Sequence, residues 1–155
     1  MAELRLTSPA FDHDASLPKR FYTDTENVSP PLTWHGVPDG TAELVVISED
    51  PDSEEGVFTH WLVYGIPPST SELPEKLGVN TIVHAPEEMY QGLNDFDAPG
   101  WTGPSDEGRT HRMFFRLYAL DTELVELAPG ATREELRESA KKHVIDSTEL
   151  VGMVP

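Results

Sequence analysis

Proline and glycine recur along the whole chain and divide its apolar residues into short stretches. The sequence has 14 prolines and 11 glycines among 155 residues, and they bound most of the apolar segments. Short apolar stretches between turn residues are typical of strands. The sequence therefore predicts an all-β dominated fold rather than a helical bundle. The strands are expected around Leu4 and Leu6 and at residues 42–48, 61–66, 81–85 and 112–120.

One helix is predicted near the C-terminus, at about residues 132–144. Thr132 and Glu135 have the spacing of a capping box, with acidic residues in the first turn and basic residues in the last. We expect this helix to have a structural role and to cover an edge of the sheet. Its apolar face would consist of Leu136, Ala140 and Val144.

Residues 69–104 contain fewer strand signals and predict a long excursion, mostly loop, from the sheets. The aromatic residues Tyr90, Phe96 and Trp101 lie within it and indicate that it is ordered. An ordered loop of this length in a compact domain is usually functional.

The composition predicts a single globular domain over residues 1–155. A chain that is 37% hydrophobic, of this length, can bury one core. It has no cysteine, which excludes disulfides, thiolate zinc sites and cysteine nucleophiles. No apolar run approaches the length of a membrane span and no leader segment is evident, so we expect a cytoplasmic protein without stable membrane insertion.

The net charge is strongly negative, and the acid is spread along the chain. The chain has 28 acidic and 11 basic residues, which give it a formal net charge of -17. Such a surface repels phosphate backbones, so the sequence predicts no nucleic-acid partner. Dispersed acid with little lysine is also typical of halophilic proteins, which tolerate self-repulsion because salt screens it.

Three residues after the second predicted strand are candidates for a binding loop. Pro51 restrains the backbone between Asp50 and Asp52, so the two carboxylates are held by a stiff hinge at a strand end. An ordinary turn, in which aspartates accept hydrogen bonds from nearby backbone amides, explains the same pattern.

Two histidines follow irregular segments and begin predicted strands. His60 precedes Trp61, and His111 precedes Arg112. Taken singly, each is explained as a hydrogen-bonded histidine at the margin of a sheet. If both converge with Asp50 and Asp52 at one end of the sheet, a metal site, a hydrolase and an anion pocket are the competing chemistries.

The motifs favour the anion pocket among these chemistries. No H-E-x-x-H or similarly compact ligand pair is present, and no G-x-S-x-G nucleophile motif. Imidazoles and backbone amides donate to phosphate oxygens, while an aspartate orients a histidine or accepts from a protonated phosphate. No cofactor and no metal are predicted.

The order of several motifs resembles the phosphatidylethanolamine-binding protein family, in its prokaryotic Raf-kinase-inhibitor-like branch. The motifs are NVSPPLTW, EDPDS, THWLVYGIP, QGLNDF, WTGP and THRMFFRLYAL, and the resemblance covers nearly the whole chain. It implies a β-sandwich-like fold of antiparallel sheets with a few short peripheral helices. It also implies a small anion pocket formed by Asp50, Pro51, Asp52, His60, Gly103, Pro104 and His111.

Some positions depart from the family pattern. Glu54 stands in place of the usual proline, residues 105–107 replace a proline-rich stretch, and Met113 replaces an aromatic residue. We therefore expect a pocket rim that is more acidic and less aromatic than is typical.

The leading hypothesis is a non-catalytic protein that binds a small anion such as phosphate, a phosphate ester or a phospholipid headgroup. His60 and His111 would donate to the anion, with Asp50 and Asp52 orienting them. The alternative is an interaction module that inhibits a protease or kinase, and a hydrolase or metal enzyme comes third. The sequence allows a homodimer but identifies no interface.

Overall fold

The computed structural model describes residues 3–84 and 87–155, which form two antiparallel β-sheets. The strands are β1 Arg5–Thr7, β2 Leu32–His35, β3 Glu43–Asp50, β4 Phe58–Ile66, β5 Glu72–Leu73, β6 Ile82–His84, β7 Glu88–Gln91, β8 His111–Leu120 and β9 Val144–Val154. Strands β1, β2 and β5 form the small sheet in the order β1-β2-β5, and the large sheet has the order β6-β7-β4-β3-β8-β9. A 3₁₀-helix spans Lys19–Phe21 and helix α1 spans Arg133–Ala140. The predicted β-sandwich-like fold is confirmed.

Alternation along the central strands creates two apolar layers. Leu44 and Val46 of β3 face the main core between the sheets, whereas Val45 faces the other side of the large sheet. There it packs in a smaller cluster with Leu136 of α1, which is fully buried. Successive side chains of a strand point to opposite faces, so one apolar run fills both layers.

The C-terminal helix is shorter than predicted. Its capping box is present: the Thr132 hydroxyl accepts from the Glu135 amide at 3.2 Å, and Glu135 accepts from the Thr132 amide at 3.0 Å. The helix ends at Ala140, however, and Val144 begins β9, which pairs with β8 along its length. Val144 has the spacing of the helix's apolar face, but its pairing with β8 places it in a strand instead. Helix α1 covers a face of the large sheet rather than an edge.

The excursion at residues 69–104 contains more strand than predicted. Strand β7 adds directly to the central strand β4, and β6 pairs with β7 at the sheet edge. Residue 85 of the predicted strand 81–85 lies outside the described residues. Trp101 is buried and donates its indole N–H to the carbonyl of Phe21 at 3.0 Å, which connects this segment to the N-terminal part of the chain.

The antiparallel order brings three strand ends together. Because β3 pairs with both β4 and β8, the end of β3 lies beside the beginnings of β4 and β8. Side chains from the three strands can therefore meet at one end of the large sheet. No helix within residues 3–84 and 87–155 has the length and apolar character needed to cross a membrane.

Candidate functional site

A pocket of about 230 Å³ lies at this end of the large sheet. Five of the residues predicted from sequence line it: Asp50, His60, Gly103, Pro104 and His111. The structure also places seven further residues in its wall: Ser53, Glu54, Glu55, Phe58, Phe96, Ser105 and Glu107.

Asp50 and His111 form a buried pair in the pocket wall. Their side chains are 3% and 1% exposed, and His111 Nδ1 lies 2.6 Å from Asp50 Oδ2. A carboxylate accepts here, so Nδ1 carries the proton and donates. The other oxygen of Asp50 accepts from the Asp52 amide at 2.8 Å. Asp50 therefore fixes the ring of His111, whose Nε2 lies 3.3 Å from Glu107 Oε2 and 3.4 Å from the Ser105 carbonyl.

His60 reaches the same pocket because β4 contains a bulge. Ser48 of β3 pairs with Trp61, but the next residue, Glu49, pairs with Thr59, so His60 is an extra residue in the ladder. Strict alternation would turn His60 and Trp61 to opposite faces. A bulge changes the direction of the side chain at the irregularity. His60 accordingly packs near Trp101, with ring centroids 6.3 Å apart, on the side of the main core.

The hydrogen bond of His60 sets its tautomer. Its Nδ1 lies 2.7 Å from the Thr102 carbonyl oxygen, which can only accept, so Nδ1 carries the proton. Burial lowers the pKa of His60 below its ordinary value, against the opposing effects of the Thr102 hydrogen bond and the nearby Asp50. The neutral ring leaves Nε2 as an unprotonated acceptor.

Gly103 and Pro104 form one wall because the chain passes very close to the N-terminal segment there. A Cβ atom on Gly103 would overlap the backbone carbonyl of Phe21. The Gly103 amide donates to Asn27 Oδ1 at 2.8 Å, and the Pro104 carbonyl accepts from the Thr23 amide at 2.9 Å. Glycine is needed at residue 103 for this close approach rather than for an unusual φ.

The structure does not bring Pro51 or Asp52 into the pocket lining. Both carboxylate oxygens of Asp52 accept from the Arg112 guanidinium at 2.8 Å. This bidentate hydrogen bond lowers the pKa of Asp52. Asp52 contributes to the site through its amide, which donates to the Asp50 carboxylate. Its side chain connects the turn to β8.

Two aromatic side chains, Phe58 and Phe96, lie on the rim. Met113, where the family pattern places an aromatic residue, is fully buried in the main core and does not lie on the rim. Phe58 and Phe96 occupy it instead, with ring centroids 4.8 Å apart in an edge arrangement. Phe58 pairs directly with Asp50 across β3 and β4, and Phe96 is 51% exposed.

Asn94, which sequence reasoning missed, organises the loop that carries Phe96. It is buried, its amide nitrogen donates to the Gly100 carbonyl at 3.0 Å and to the Thr102 hydroxyl at 2.9 Å, and its Oδ1 accepts from the Phe96 amide at 2.9 Å. The position of Asn94 in the QGLNDF motif was the available signal. The Thr102 carbonyl in turn accepts from His60, so Asn94 connects the rim to a pocket histidine.

The described lining of the pocket is rich in carboxylates. Four carboxylates line it, from Asp50, Glu54, Glu55 and Glu107. Among the described residues of the lining, none is Lys or Arg. Arg109 lies outside the lining, where it donates to the Asp52 carbonyl at 2.8 Å and lies 4.0 Å from Glu54. The described lining therefore contains four carboxylates and no permanent cation.

Comparison with known proteins establishes the family. The sequence matches the phosphatidylethanolamine-binding protein family model over residues 7–154. This chain belongs to that family, as its motifs indicated.

Its relatives are prokaryotic, as the resemblance implied. A UPF0098 protein from Methanothermobacter thermautotrophicus is 41% identical over 150 residues, which cover 97% of each chain. A UPF0098 protein from Pyrococcus abyssi is 40% identical over 153 residues, covering 97% of this chain and 85% of the relative.

Crystal structures of two bacterial proteins share the fold. A phosphatidylethanolamine-binding protein homologue from Chlamydia trachomatis has a TM-score of 0.87 at 34% identity, covering 99% of this chain and 97% of the other. YbcL from Escherichia coli, described as a member of the mammalian family, has a TM-score of 0.88 at 27% identity and covers 98% of each chain.

Proposed function

We propose that this protein binds a small phosphate-containing anion in the pocket between Asp50, His60 and His111, without catalysing a reaction. The observation that supports this most directly is the buried Asp50–His111 pair. Its hydrogen bond of 2.6 Å fixes the imidazole while Nε2 remains beside the cavity. With both ring nitrogens protonated, His111 donates from Nδ1 to Asp50 and from Nε2 to a ligand in the pocket.

The two histidines have different roles in this proposal, whereas the sequence had suggested two donors. His111 donates from Nε2 to a phosphate oxygen. His60 has its Nδ1 proton committed to the Thr102 carbonyl, so its Nε2 accepts. A ligand that matches both carries one ionised oxygen and one hydroxyl, which is the arrangement of a monoanionic phosphate or phosphate monoester.

The charge of the rim narrows the ligand further. Glu54, Glu55 and Glu107 would repel a dianion, because the lining contains no permanent cation among its described residues. A ligand that carries its own ammonium group offsets this repulsion. Phe58 and Phe96 present ring faces and edges at the same rim, and aromatic rings attract ammonium groups. We therefore place O-phosphoethanolamine, the headgroup named by the family, above inorganic phosphate in expected affinity.

The test is a titration followed by histidine NMR, with inorganic phosphate, O-phosphoethanolamine and ethanolamine as separate probes. The pH is chosen so that phosphate is mainly the monoanion. We expect the resonances of His60 and His111 to shift together with both phosphate probes, and to shift little with ethanolamine alone. If phosphate binds and O-phosphoethanolamine binds no tighter, the ligand is free phosphate rather than the headgroup.

His143 provides a matched control. Its Nδ1 lies 2.9 Å from Asp121 Oδ1, so it reproduces the histidine–aspartate hydrogen bond at an exposed position outside the pocket. The variant His111→Gln should abolish the shifts at His60, whereas His143→Gln should leave them unchanged. Unchanged affinity in His111→Gln would overturn the proposed site.

The alternative function, inhibition of a protease or kinase, stays a prediction. It would use the exposed carboxylates of Glu54 and Glu55 on the rim rather than the buried pair. Loss of a partner in Glu54→Gln and Glu55→Gln, with no phosphate-induced shift in the parent protein, would favour it over the anion-binding function.

A further inference from the structure

Helix α1 is too short to cover the face of the large sheet on which it packs. Its eight residues extend over about 12 Å, whereas the eight residues of β3 extend over about 26 Å. A groove of about 280 Å³ lies beside the helix on this face. It is separate from the pocket of His60 and His111, and no residue is shared between the two linings as described.

The lining of this groove is largely apolar and accessible. Val45 and Leu136 are buried, whereas Ile47 and Tyr118 are only partly buried beside them. Val144 also lines the groove and is 41% exposed. Concave sites that combine an apolar lining with a few polar groups are typical of small-molecule binding.

Basic residues are concentrated at this groove. The chain has a formal net charge of -17 and 11 basic residues, and three of these, Arg133, Arg137 and Lys141, line the groove. Their spacing of four residues places them along one stripe of the helix. Within residues 3–84 and 87–155, Glu49 is the one carboxylate of the lining. The groove therefore has an excess of positive charge on an acidic protein.

Arg137 is the cation of this stripe that is available to a ligand. Arg133 donates to Glu49 at 3.0 Å, and Lys141 lies 2.9 Å from Glu138. Arg137 is exposed and forms no ion pair within residues 3–84 and 87–155. A guanidinium offers parallel N–H donors that match the two oxygens of a carboxylate.

We propose that this groove binds a fatty-acid carboxylate, with the carboxylate on Arg137 and the alkyl chain against Ile47, Tyr118 and Val144. Charge complementarity selects the anionic head group, and the accessible apolar lining selects the chain. The site lies on the other face of the large sheet from the anion pocket, so this inference does not depend on the proposed function.

The volume of the groove limits the ligand to one chain of moderate length. A methylene group is similar in size to a water molecule, which occupies about 30 Å³ in the liquid, so the groove holds about nine such groups. Nine carbons and a carboxylate correspond to decanoate. The two long acyl chains of a phospholipid exceed this volume.

The first experiment is a calorimetric titration at neutral pH with saturated fatty acids of increasing length, each below the concentration at which it forms micelles. We expect one molecule to bind per chain. The Kd should fall by about 4-fold for each added methylene up to about decanoate and change little beyond it. Decyltrimethylammonium has the same tail and the opposite charge, and it should bind at least about 5-fold more weakly than decanoate.

The second experiment tests the head-group contact with matched variants. Arg137→Gln should raise the Kd of decanoate by about 5-fold, the upper range for an exposed ion pair. Lys142→Gln removes the same charge from an exposed residue outside the lining and should change the Kd by less than about 2-fold. Both residues are exposed, so neither change should disturb folding.

The third experiment tests where the chain lies. Decanoate should shift the methyl NMR resonances of Ile47 and leave the ring resonances of His60 and His111 unchanged. Ala140→Leu keeps a strong helix former and narrows the groove, so the longest fatty acid that still gains affinity should become shorter.

Several results would overturn the groove site. A Kd that keeps falling from decanoate to tetradecanoate, or equal effects of Arg137→Gln and Lys142→Gln, would indicate adsorption without a defined site. Shifts at His60 and His111 with Ile47 unchanged would place decanoate in the anion pocket instead. Absence of decanoate binding in a protein that light scattering shows to be a dimer, with Ile47 at its interface, would make a second copy the occupant. Phosphate binding by the pocket histidines is measured separately, so it can fail or succeed independently of these results.

Discussion

Glu49 and Asp50 are consecutive residues of β3, and both carboxylates are buried on opposite faces of the large sheet. The residues are 6% and 2% exposed. Glu49 lies at the end of a groove of about 280 Å³ beneath α1, whereas Asp50 lies in the candidate ligand pocket. Alternation along the strand is the reason for this separation.

The two carboxylates differ in their partners. Glu49 accepts from Arg133 at 3.0 Å, and Arg116 Nε lies 3.1 Å from its other oxygen, too poorly aligned for a hydrogen bond but close enough for an ionic contact. Arginine is permanently charged, so this carboxylate is neutralised at every ordinary pH. Asp50 instead faces the imidazole of His111 at 2.6 Å.

Two neighbouring carboxylates of one strand therefore have different roles. The contact of Glu49 with Arg133 connects α1 to the large sheet, and it can be explained by stability alone. The contact of Asp50 with His111 leaves Nε2 of the histidine beside the candidate ligand pocket. The groove is therefore the region where two arginines balance the buried carboxylate, and the described lining of the pocket contains no such permanent cation.

Removal of His111 should have the largest effect. In His111→Ala the Asp50 carboxylate remains buried without its imidazole partner, which typically costs about 3–5 kcal/mol. We expect this loss in the free energy of unfolding measured with urea. His143→Ala, which breaks an exposed histidine–aspartate pair, should cost less than about 1 kcal/mol. Equal losses in the two variants would contradict the distinction between a buried and an exposed pair.

Removal of Arg133 should have a smaller effect, because Glu49 retains Arg116. We expect Arg133→Gln to lower the free energy of unfolding by about 1.5–3 kcal/mol, the range for a hydrogen bond to a charged group. Arg137→Gln lies one turn further along the same exposed helix and is the control. If Arg137→Gln is as destabilising as Arg133→Gln, the contact with Glu49 does not hold the helix.

The lowered pKa of His60 predicts that stability falls in mild acid. The unfolded chain gains a proton on this histidine near its ordinary pKa of about 6.5, while the folded protein does not, so protonation favours unfolding. The contribution of His60 is complete above that pKa and is lost as the pH falls toward the lower pKa of the folded state. Each unit of depression corresponds to about 1.4 kcal/mol.

Urea unfolding at a series of pH values would measure this dependence. The variant His60→Asn should show a shallower decrease in stability below about pH 6.5 than the parent protein. Parallel curves for the two proteins would show that His60 is not the group responsible.

Neutralising the rim should have the smallest effect. Glu54→Gln should raise the affinity for monoanionic phosphate by about 2-fold at low salt, because an exposed charge several ångströms from the ligand contributes only a fraction of a kcal/mol in water. The difference should disappear in about 1 M potassium chloride, where the Debye length is about 3 Å. A salt-independent difference would mean that Glu54 contacts the ligand directly.

Much of the site could be predicted because the order of the motifs resembles the family, whose pattern implies Asp50, His60 and His111. Asp50 and His111 lie on neighbouring antiparallel strands, and the phase of each apolar run places both on the face of the main core. The helix cap could also be predicted, because Thr132 and Glu135 form hydrogen bonds with each other within one turn. The dispersed acid predicted a halophilic adaptation, which stays a prediction.

Other features could not be predicted from local patterns. The bulge at His60 depends on how β4 pairs with β3, and the end of α1 depends on the pairing of β9 with β8. Asp52 was expected in the pocket because it belongs to the same Asp-Pro-Asp motif as Asp50. Arg112, distant along the chain, holds its side chain elsewhere. Phe58 and Phe96 reach the rim through contacts between separate segments.

The sequence by itself determined the β-rich class, the family, the helix cap and the residue types available for chemistry, because these depend on periodicity and short-range contacts. The tertiary structure alone decided that His60 turns toward His111 and that Glu49 and Asp50 have partners of different kind. These outcomes depend on strand register and on side chains that are distant in sequence, whose positions no local pattern specifies.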